Sequence, residues 1–221
     1  MKENLIIFGS GDIAELAKFY FERYSHYKVK CFCVDEKYLK ESKIAGLPLI
    51  SFDEACKKHA PIDTSFFIAL GYSKVNQIRK EKYLLLKKMG YSLATFISPQ
   101  ATVLSENKVG DNCFILENNT IQPFVKIGNN VTLWSGNHIG HHSTIGDHTF
   151  VSSQVVISGK VQIGENCFLG VNASIRDNIK IGDQCIIGAG TLILNNVESN
   201  GVYYGIRTER SKVNSKRITN I

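Results

Sequence analysis

The sequence predicts a small α/β domain followed by a parallel β-helix built from hexapeptide repeats. From Ile97 to Ile193 an aliphatic residue falls on every sixth position without interruption. A second, mostly small set of residues follows four positions later, as Cys167 follows Ile163. A six-residue period fits neither a helix nor an alternating strand, but it fits three short strands per triangular coil. Before residue 97, apolar strand-like runs alternate with helical segments, which is typical of a parallel sheet.

The α/β domain is expected to span residues 1–96, with about half the strands of a full dinucleotide-binding (Rossmann-like) fold. Ser51 is expected to cap a helix, because Glu54 stands at the capping-box spacing. Gly90 is expected to end the last helix. The expected elements are a strand at 5–8, a glycine turn at 9–14, a helix from there to about Tyr24, strands at 29–34, 47–50 and 65–70, a helix to about Met89 and a strand at 91–96.

The β-helix is expected to span residues 97–198, with a basic C-terminal tail at 199–221. Its seventeen hexads make between five and six coils, and a strand spacing of about 4.8 Å gives a prism roughly 25 Å long. No flexible linker separates the domains at Ile97-Ser98-Pro99. We therefore expect the first domain to pack on the end of the β-helix and cover its open strand edges, with the tail covering the other end.

Composition narrows the class of protein. No run is long enough to cross a membrane, and the N-terminus lacks a signal-peptide cleavage site, which favours the cytoplasm. The net charge of +6 lies in the first domain and the tail, without a stripe of interleaved aromatics, so phosphorylated small molecules are favoured over nucleic acid. Cys113, Cys167 and Cys185 occupy the small register of the hexads and are expected to be buried thiols, not a disulfide.

The turn Gly9-x-Gly11-x-x-Ala14 follows a strand and opens a helix, which is the context of a phosphate site. Asp35 ends the next strand, where a carboxylate can bond a ribose hydroxyl. The third glycine of the dinucleotide motif is replaced by Ala14, so a tight turn without a ligand stays an alternative. An NAD enzyme is disfavoured because the chain has no second half-fold and no evident hydride-transfer site.

Four histidines, His138, His141, His142 and His148, fall within eleven residues of the β-helix. His141 and His142 occupy the third and fourth places of a hexad, which form a corner and point outward. A histidine there can act as a general base near neutral pH, or can be a solvated corner residue. A metal site is disfavoured, because the corner positions one coil away hold Pro, Phe, Gly and Lys instead of further histidines.

Five segments carry a more specific pattern: Phe8–Gly11, Phe66–Gly71 with Arg79 beyond it, Ile97–Pro99, Trp134–Ser143 and Gly164–Asn172. Together they resemble the bacterial nucleotide-sugar N-acetyltransferases that make O-antigens (the lipopolysaccharide side chains) and protein-linked glycans. This family includes the GDP-perosamine N-acetyltransferases and the UDP-4-amino-sugar acetyltransferases, and the resemblance covers nearly the whole chain.

The resemblance implies a left-handed β-helix, a homotrimer, and acetyl-CoA bound along the groove between two subunits. It implies that His141 is the general base, with no metal. In some relatives acidic residues flank this histidine, whereas here the neighbours are Gly140 and His142, so His142 is kept as an alternative base. The implied substrate-binding residues are Gly9, Ser10, Gly11, Asp35, Gly71, Tyr72 and Arg79, and the implied coenzyme-binding residues are Gly159, Ala189, Gly205 and Arg207.

The resemblance thus predicts acetyl transfer to the amino group of a GDP-, dTDP- or UDP-linked amino-deoxy sugar. Two alternatives stay open at this point. A sugar O-acetyltransferase of the sialic-acid type would use the same base on a hydroxyl group. A non-catalytic nucleotide-binding scaffold would have the same glycine turn but would not bind acetyl-CoA.

Overall fold

The computed structural model describes residues 3–104, 106–210, 212 and 217. Within these residues an α/β domain precedes a β-helix, as predicted. The elements of the α/β domain are β1 (Glu3–Phe8), α1 (Asp12–Tyr24), β2 (Tyr27–Val34), a 3₁₀ turn (Glu36–Tyr38), β3 (Lys43–Ile44), β4 (Leu47–Ser51), α2 (Phe52–Lys58), β5 (Thr64–Ile68), α3 (Gln77–Lys88) and β6 (Ser92–Leu93).

The sheet of this domain has the order β3-β4-β2-β1-β5-β6 within the described residues, and all its neighbours are parallel except β3 and β4. The predicted parallel sheet is therefore confirmed. The Ser51 hydroxyl accepts a hydrogen bond from the Glu54 N–H at 3.2 Å, as the capping box predicts. The short β3–β4 hairpin was not predicted, and it turns through Ala45 and Gly46, both with positive φ.

The β-helix consists of two-residue strands. They are β7 (Phe96–Ile97), β8 (Thr102–Val103), β9 (Lys108–Val109), β10 (Phe114–Ile115), β11 (Thr120–Ile121), β12 (Lys126–Ile127), β13 (Thr132–Leu133), β14 (His138–Ile139), β15 (Thr144–Ile145), β16 (Phe150–Val151), β17 (Val156–Ile157), β18 (Gln162–Ile163), β19 (Phe168–Leu169), β20 (Ser174–Ile175), β21 (Lys180–Ile181), β22 (Ile186–Ile187), β23 (Leu192–Ile193) and β24 (Val202–Tyr203).

These strands form the three sides of a prism. The first sheet contains every third strand from β7 to β22 together with β24, the second runs from β8 to β23, and the third runs from β9 to β21. Strands 18 residues apart pair in register, as Ile121 pairs with Ile139. The aliphatic register fills one buried core, in which Cys113, Cys167 and Cys185 are free thiols as predicted.

The α/β domain packs along the side of the β-helix, on the outer surface of the first sheet, so the prediction that it caps the end is wrong. The first sheet presents outward phenylalanines at Phe96, Phe114, Phe150 and Phe168, one coil or more apart. Phe114 and Phe96 join the core of the α/β domain. Burial of these phenylalanines against the α/β domain favours docking on the side of the prism.

Both ends of the prism are partly open in the described residues. Ile97 of the first coil is 37% exposed, although its hexad position predicts an inward side chain. At the other end, β24 pairs with β22 and extends the first sheet past Glu198, where the tail was expected to begin. Residues 1, 2, 105, 211, 213–216 and 218–221 lie outside the described residues.

Candidate active site

A pocket of about 520 Å³ opens where β1, β2 and β5 end. The carboxyl ends of parallel strands are where open α/β sheets bind ligands. Five of the predicted substrate-binding residues line this pocket together: Gly9, Ser10, Gly11, Asp35 and Gly71.

The backbone conformation and surroundings at Gly9 leave no room for a residue other than glycine. Its φ is +138°, and a Cβ there would lie 2.6 Å from the carbonyl oxygen of Ala69. At Gly11 a Cβ would meet nothing within 4 Å, so the chain leaves space for a ligand beside it. No side chain caps the start of α1 at Gly11, and the first two residues of the helix, Asp12 and Ile13, line the pocket. An uncapped helix N-terminus at a pocket is an anion-binding feature.

Lys82 of α3 lines the pocket and was missed by the sequence reasoning. Its ammonium lies 2.5 Å from a carboxylate oxygen of Asp35 and over the rings of Phe8 and Phe52, at 4.9 and 5.1 Å from their centroids. Lys40 lies on the pocket wall as well. Asp12 and Asp35 line the pocket too, so its formal charges balance, and the two lysines are the groups on its wall that could contact a phosphate. Nothing in the sequence distinguishes Lys82 from the other lysines of its helix.

Tyr72 is not part of the pocket wall. Its ring packs on Phe150 and Phe168 of the first sheet, with centroids 5.1 and 4.5 Å away, while 54% of the residue stays exposed. It lies directly after Gly71, at the edge between the pocket and the β-helix.

Arg79 must be reassigned, because it is only 1% exposed and lies between the two domains. Its guanidinium donates to the Thr132 hydroxyl at 2.7 Å, the His148 carbonyl at 2.9 Å and the Asn76 side chain at 3.1 Å. Burial lowers the pKa of Arg79 to about 10. A side chain with these contacts is not available to a substrate, so the prediction that Arg79 binds one is not supported.

The clustered histidines separate into three environments. His148 is 3% exposed and faces the α/β domain, in a corner column it shares with Asn112, Asn130 and Asn166. Burial, with a contribution from Lys80, lowers the pKa of His148 to about 4, so it is neutral. His138 lies on β14 in the second sheet. Only His141 and His142 form an exposed pair, at the corner between the second and third sheets.

The two rings of that pair are hydrogen-bonded through their Nδ1 atoms at 3.1 Å. The His141 backbone N–H donates to the Gln122 side chain at 2.9 Å, and its carbonyl accepts from the Lys160 N–H. His142 has a left-handed φ of +60°, and its ring packs on Phe124 in the coil below. The corner is thus held by both neighbouring coils, which fixes His141 despite its exposure.

Gly159 lies one coil from His141 and faces its other nitrogen. A Cβ on Gly159 would come within 2.7 Å of His141 Nε2. Among the described residues, the N–H of Gly159 has no hydrogen-bond partner. The corner therefore presents a free imidazole nitrogen beside an unused backbone donor.

The remaining predicted coenzyme residues lie at another corner, between the first and second sheets. A Cβ on Gly205 would collide with the carbonyl oxygen of Ala189, so these two residues are in close contact. Arg207 follows on the exposed chain. Within one chain, Gly159 lies beside His141 and Gly205 lies beside Ala189. The two pairs occupy different corners of the prism and are not in contact.

Within 3–104 and 106–210, no three His, Cys, Asp or Glu side chains are grouped so that they could hold a metal ion. No described helix has the length and apolar character needed to cross a membrane.

Residues 107–141, 124–159 and 160–195 match the bacterial transferase hexapeptide (six repeats) family. The chain thus consists of an α/β domain joined to a left-handed β-helix of hexapeptide repeats. No curated protein sequence matches the chain.

Solved structures resemble nearly the full length. A variant of perosamine N-acetyltransferase from Caulobacter crescentus, in complex with CoA and GDP-perosamine, is 22% identical with a TM-score of 0.83, over 91% of this chain and 93% of that one. The acetyltransferase domain of PglB from Neisseria gonorrhoeae is 20% identical with a TM-score of 0.84, over 92% and 97%. WeeI from Acinetobacter baumannii is 18% identical with a TM-score of 0.63, over 90% and 94%. The resemblance predicted from the sequence is therefore confirmed for the fold.

Proposed function

We propose that the protein is an acetyl-CoA-dependent N-acetyltransferase that acts in the cytoplasm on a nucleotide-linked amino-deoxy sugar used for O-antigen or glycan synthesis. The observation that carries the proposal is the exposed His141 corner, with a free Nε2 beside Gly159, in a chain that also has a pocket bordered by a glycine turn at the start of a helix. A scaffold protein has no need of the first feature. The fold is also that of structures containing CoA and GDP-perosamine and acetyl coenzyme A.

The pocket of the α/β domain is assigned to the nucleotide. The diphosphate would lie against Gly9–Gly11 and the start of α1, where N–H groups and positive charge favour an anion. Asp35 would bond the ribose, with its second partner Lys82 keeping the carboxylate in place. Lys40 would offset part of the charge of the phosphates.

The corner of the β-helix is assigned to acyl transfer. The sugar amine attacks the thioester carbonyl, so a C–N bond forms and the C–S bond breaks. His141 Nε2 accepts the proton that the amine loses, and a proton is returned to the departing thiolate. The free N–H of Gly159 would donate to the carbonyl oxygen as it gains negative charge. The described cysteines of the β-helix are buried in its core, so an acyl-enzyme on one of them is disfavoured.

The same geometry supports a shared site, as in the predicted homotrimer. The α/β domain covers the first sheet, whereas the His141 corner joins the second and third sheets. In a triangular prism that corner is opposite the first side, so the domain that carries the pocket lies on the other side of the prism from its own chain's histidine. A second copy, placed around a threefold axis, would supply the histidine corner and the second wall of the coenzyme groove, and would bring Ala189 and Gly205 of one chain toward Gly159 of another.

The test of the reaction is thiol release from acetyl-CoA with UDP-, GDP- and dTDP-linked amino sugars. Loss of a positioned base typically costs ~10²–10⁴-fold in rate, so His141→Ala should lose at least 100-fold in kcat while staying folded. His26→Ala, an exposed histidine of the other domain, is the matched control and should keep full activity. Turnover with hydroxylated acceptors alone would favour the O-acetyltransferase, and absence of acetyl-CoA binding would favour the scaffold.

The shared site has its own test, because Gly11→Leu can block the pocket without a backbone clash. Gly11→Leu and His141→Ala chains are each expected to be inactive. Mixed, refolded oligomers should regain activity when one chain provides the pocket and its neighbour provides the histidine. No recovery in mixed oligomers of confirmed composition would contradict a site shared between subunits.

A further inference from the structure

The Nδ1–Nδ1 contact between His141 and His142 has a chemical consequence. A hydrogen bond between two imidazole nitrogens needs one N–H and one lone pair. At 3.1 Å the two Nδ1 atoms therefore cannot both be protonated or both be bare. The presence or absence of a proton on Nδ1 of one ring therefore determines whether Nδ1 of the other ring is protonated.

We propose that His142 is a positioning residue that holds His141 in the tautomer required of a base. This inference rests on the proposed function for its catalytic meaning. For His141 Nε2 to accept a proton, its own proton must be on Nδ1, where it is donated to Nδ1 of a neutral His142. His142 then carries its proton on Nε2, so the two rings are in opposite tautomers.

His142 suits this role better than the role of base. Its Nδ1 is occupied by His141, and its ring is packed on Phe124 with centroids 4.8 Å apart. The nitrogen that faces the Gly159 corner belongs to His141. In this arrangement His141 exchanges the proton, and His142 holds the His141 ring in its orientation and tautomer.

The arrangement also makes the site sensitive to acid in a particular way. A proton taken up by His142 turns its Nδ1 into a donor, which forces His141 to accept at Nδ1 and to carry its own proton on Nε2. The base is then blocked although His141 itself has gained no charge. The other charged or titratable groups around this corner are His138 on the strand leading into it, Lys126 on the coil below, Lys160 on the next coil and Asp177 one coil beyond Gly159.

Two substitutions separate orientation from packing. His142→Phe keeps an aromatic ring against Phe124 but has no acceptor. His142→Asn offers Oδ1 near the position of Nδ1, cannot take up a proton, and suits a left-handed φ, which Asn178 adopts in the same corner column.

The experiment is ¹⁵N NMR of the full chain with labelled histidines, combined with pH–rate profiles. In the wild type and in His142→Asn, His141 should carry its proton on Nδ1, whereas in His142→Phe this tautomer should be lost. His142→Phe should lose at least about 10-fold in kcat with KM little changed, since a wrong tautomer in a base can cost up to ~10⁴-fold. His142→Asn should recover most of that loss and move the acid limb of kcat/KM to lower pH.

A wild-type His141 protonated on Nε2 would overturn the proposal, as would a His142→Phe protein with wild-type kcat or a His142→Asn protein as slow as His142→Phe. The NMR result is independent of the reaction. If no acetyl acceptor is found, the tautomers still decide whether His142 positions His141.

Discussion

Replacement of Arg79 by methionine is expected to weaken the attachment of the two domains without touching the pocket. The guanidinium makes three good hydrogen bonds, to Thr132, His148 and Asn76. A hydrogen bond from a charged group is worth about 1.5–3 kcal/mol, which gives roughly 5–9 kcal/mol in gross terms. Burial of the charge opposes this: the fall of the Arg79 pKa from 12.5 to about 10 corresponds to about 3 kcal/mol.

The net loss in the free energy of unfolding is therefore expected to be about 2–6 kcal/mol for Arg79→Met, measured by urea unfolding at pH 7. Lys82→Met is the matched control on the same helix, because Lys82 lies in the pocket and pairs with Asp35 near the surface. Its stability should change by less than about 1 kcal/mol, while its affinity for UDP, GDP or dTDP should fall.

The opposite pattern would refute this reasoning. An Arg79→Met protein of wild-type stability, with nucleotide affinity reduced about 10-fold, would make Arg79 a ligand-binding residue after all. The contacts seen between the domains would then contribute little to the folded state.

Three further outcomes are expected. Gly159→Ala places a methyl group 2.7 Å from His141 Nε2 and should reduce kcat by up to about 100-fold, since a misplacement near 1 Å can cost that much. In a His141→Ala background the same change should reduce kcat by less than a further 2-fold. A larger added loss would contradict the steric explanation. His148 has a pKa lowered to about 4, so its neutral form stabilises the fold fully above pH 6.5 and this contribution, at most about 3 kcal/mol, is lost as pH falls to 4; urea unfolding of His148→Asn should show a correspondingly weaker pH dependence, and an unchanged dependence would count against it. Ser51→Ala removes the cap on the Glu54 N–H and should cost about 1 kcal/mol of thermal or urea stability, with activity unchanged.

The sequence was most informative where the structure repeats. Because each inward position of a coil meets the same position 18 residues later, one physical requirement recurs seventeen times, and the β-helix could be predicted residue by residue. The pocket could be predicted for a related reason, since a close approach such as Gly9 to Ala69 leaves glycine as the residue that fits.

Docking of the domains could not be predicted so directly, although a signal was present. Outward positions of a β-helix are normally polar, yet Phe96, Phe114, Phe150 and Phe168 are apolar at multiples of 18 residues. This row indicates that another part of the protein covers that side of the prism. Arg79 contacts the same side, at Thr132 and Phe150. The contact of His141 with His142 had no sequence signal beyond adjacency, because it depends on the left-handed φ at His142.

A domain that docks on a repeating solenoid could bind at several positions along its axis, because every coil resembles the next. Taken alone, the row of phenylalanines would present a similar apolar surface after a slide of one coil, about 4.8 Å. Thr132 interrupts that row and supplies the hydroxyl that Arg79 binds, whereas a slide would bring the guanidinium against Phe114 or Phe150. Thr132 belongs to the same coil as His141. The chain thus specifies the level of its pocket along the prism by a residue of the very coil that carries its histidine pair.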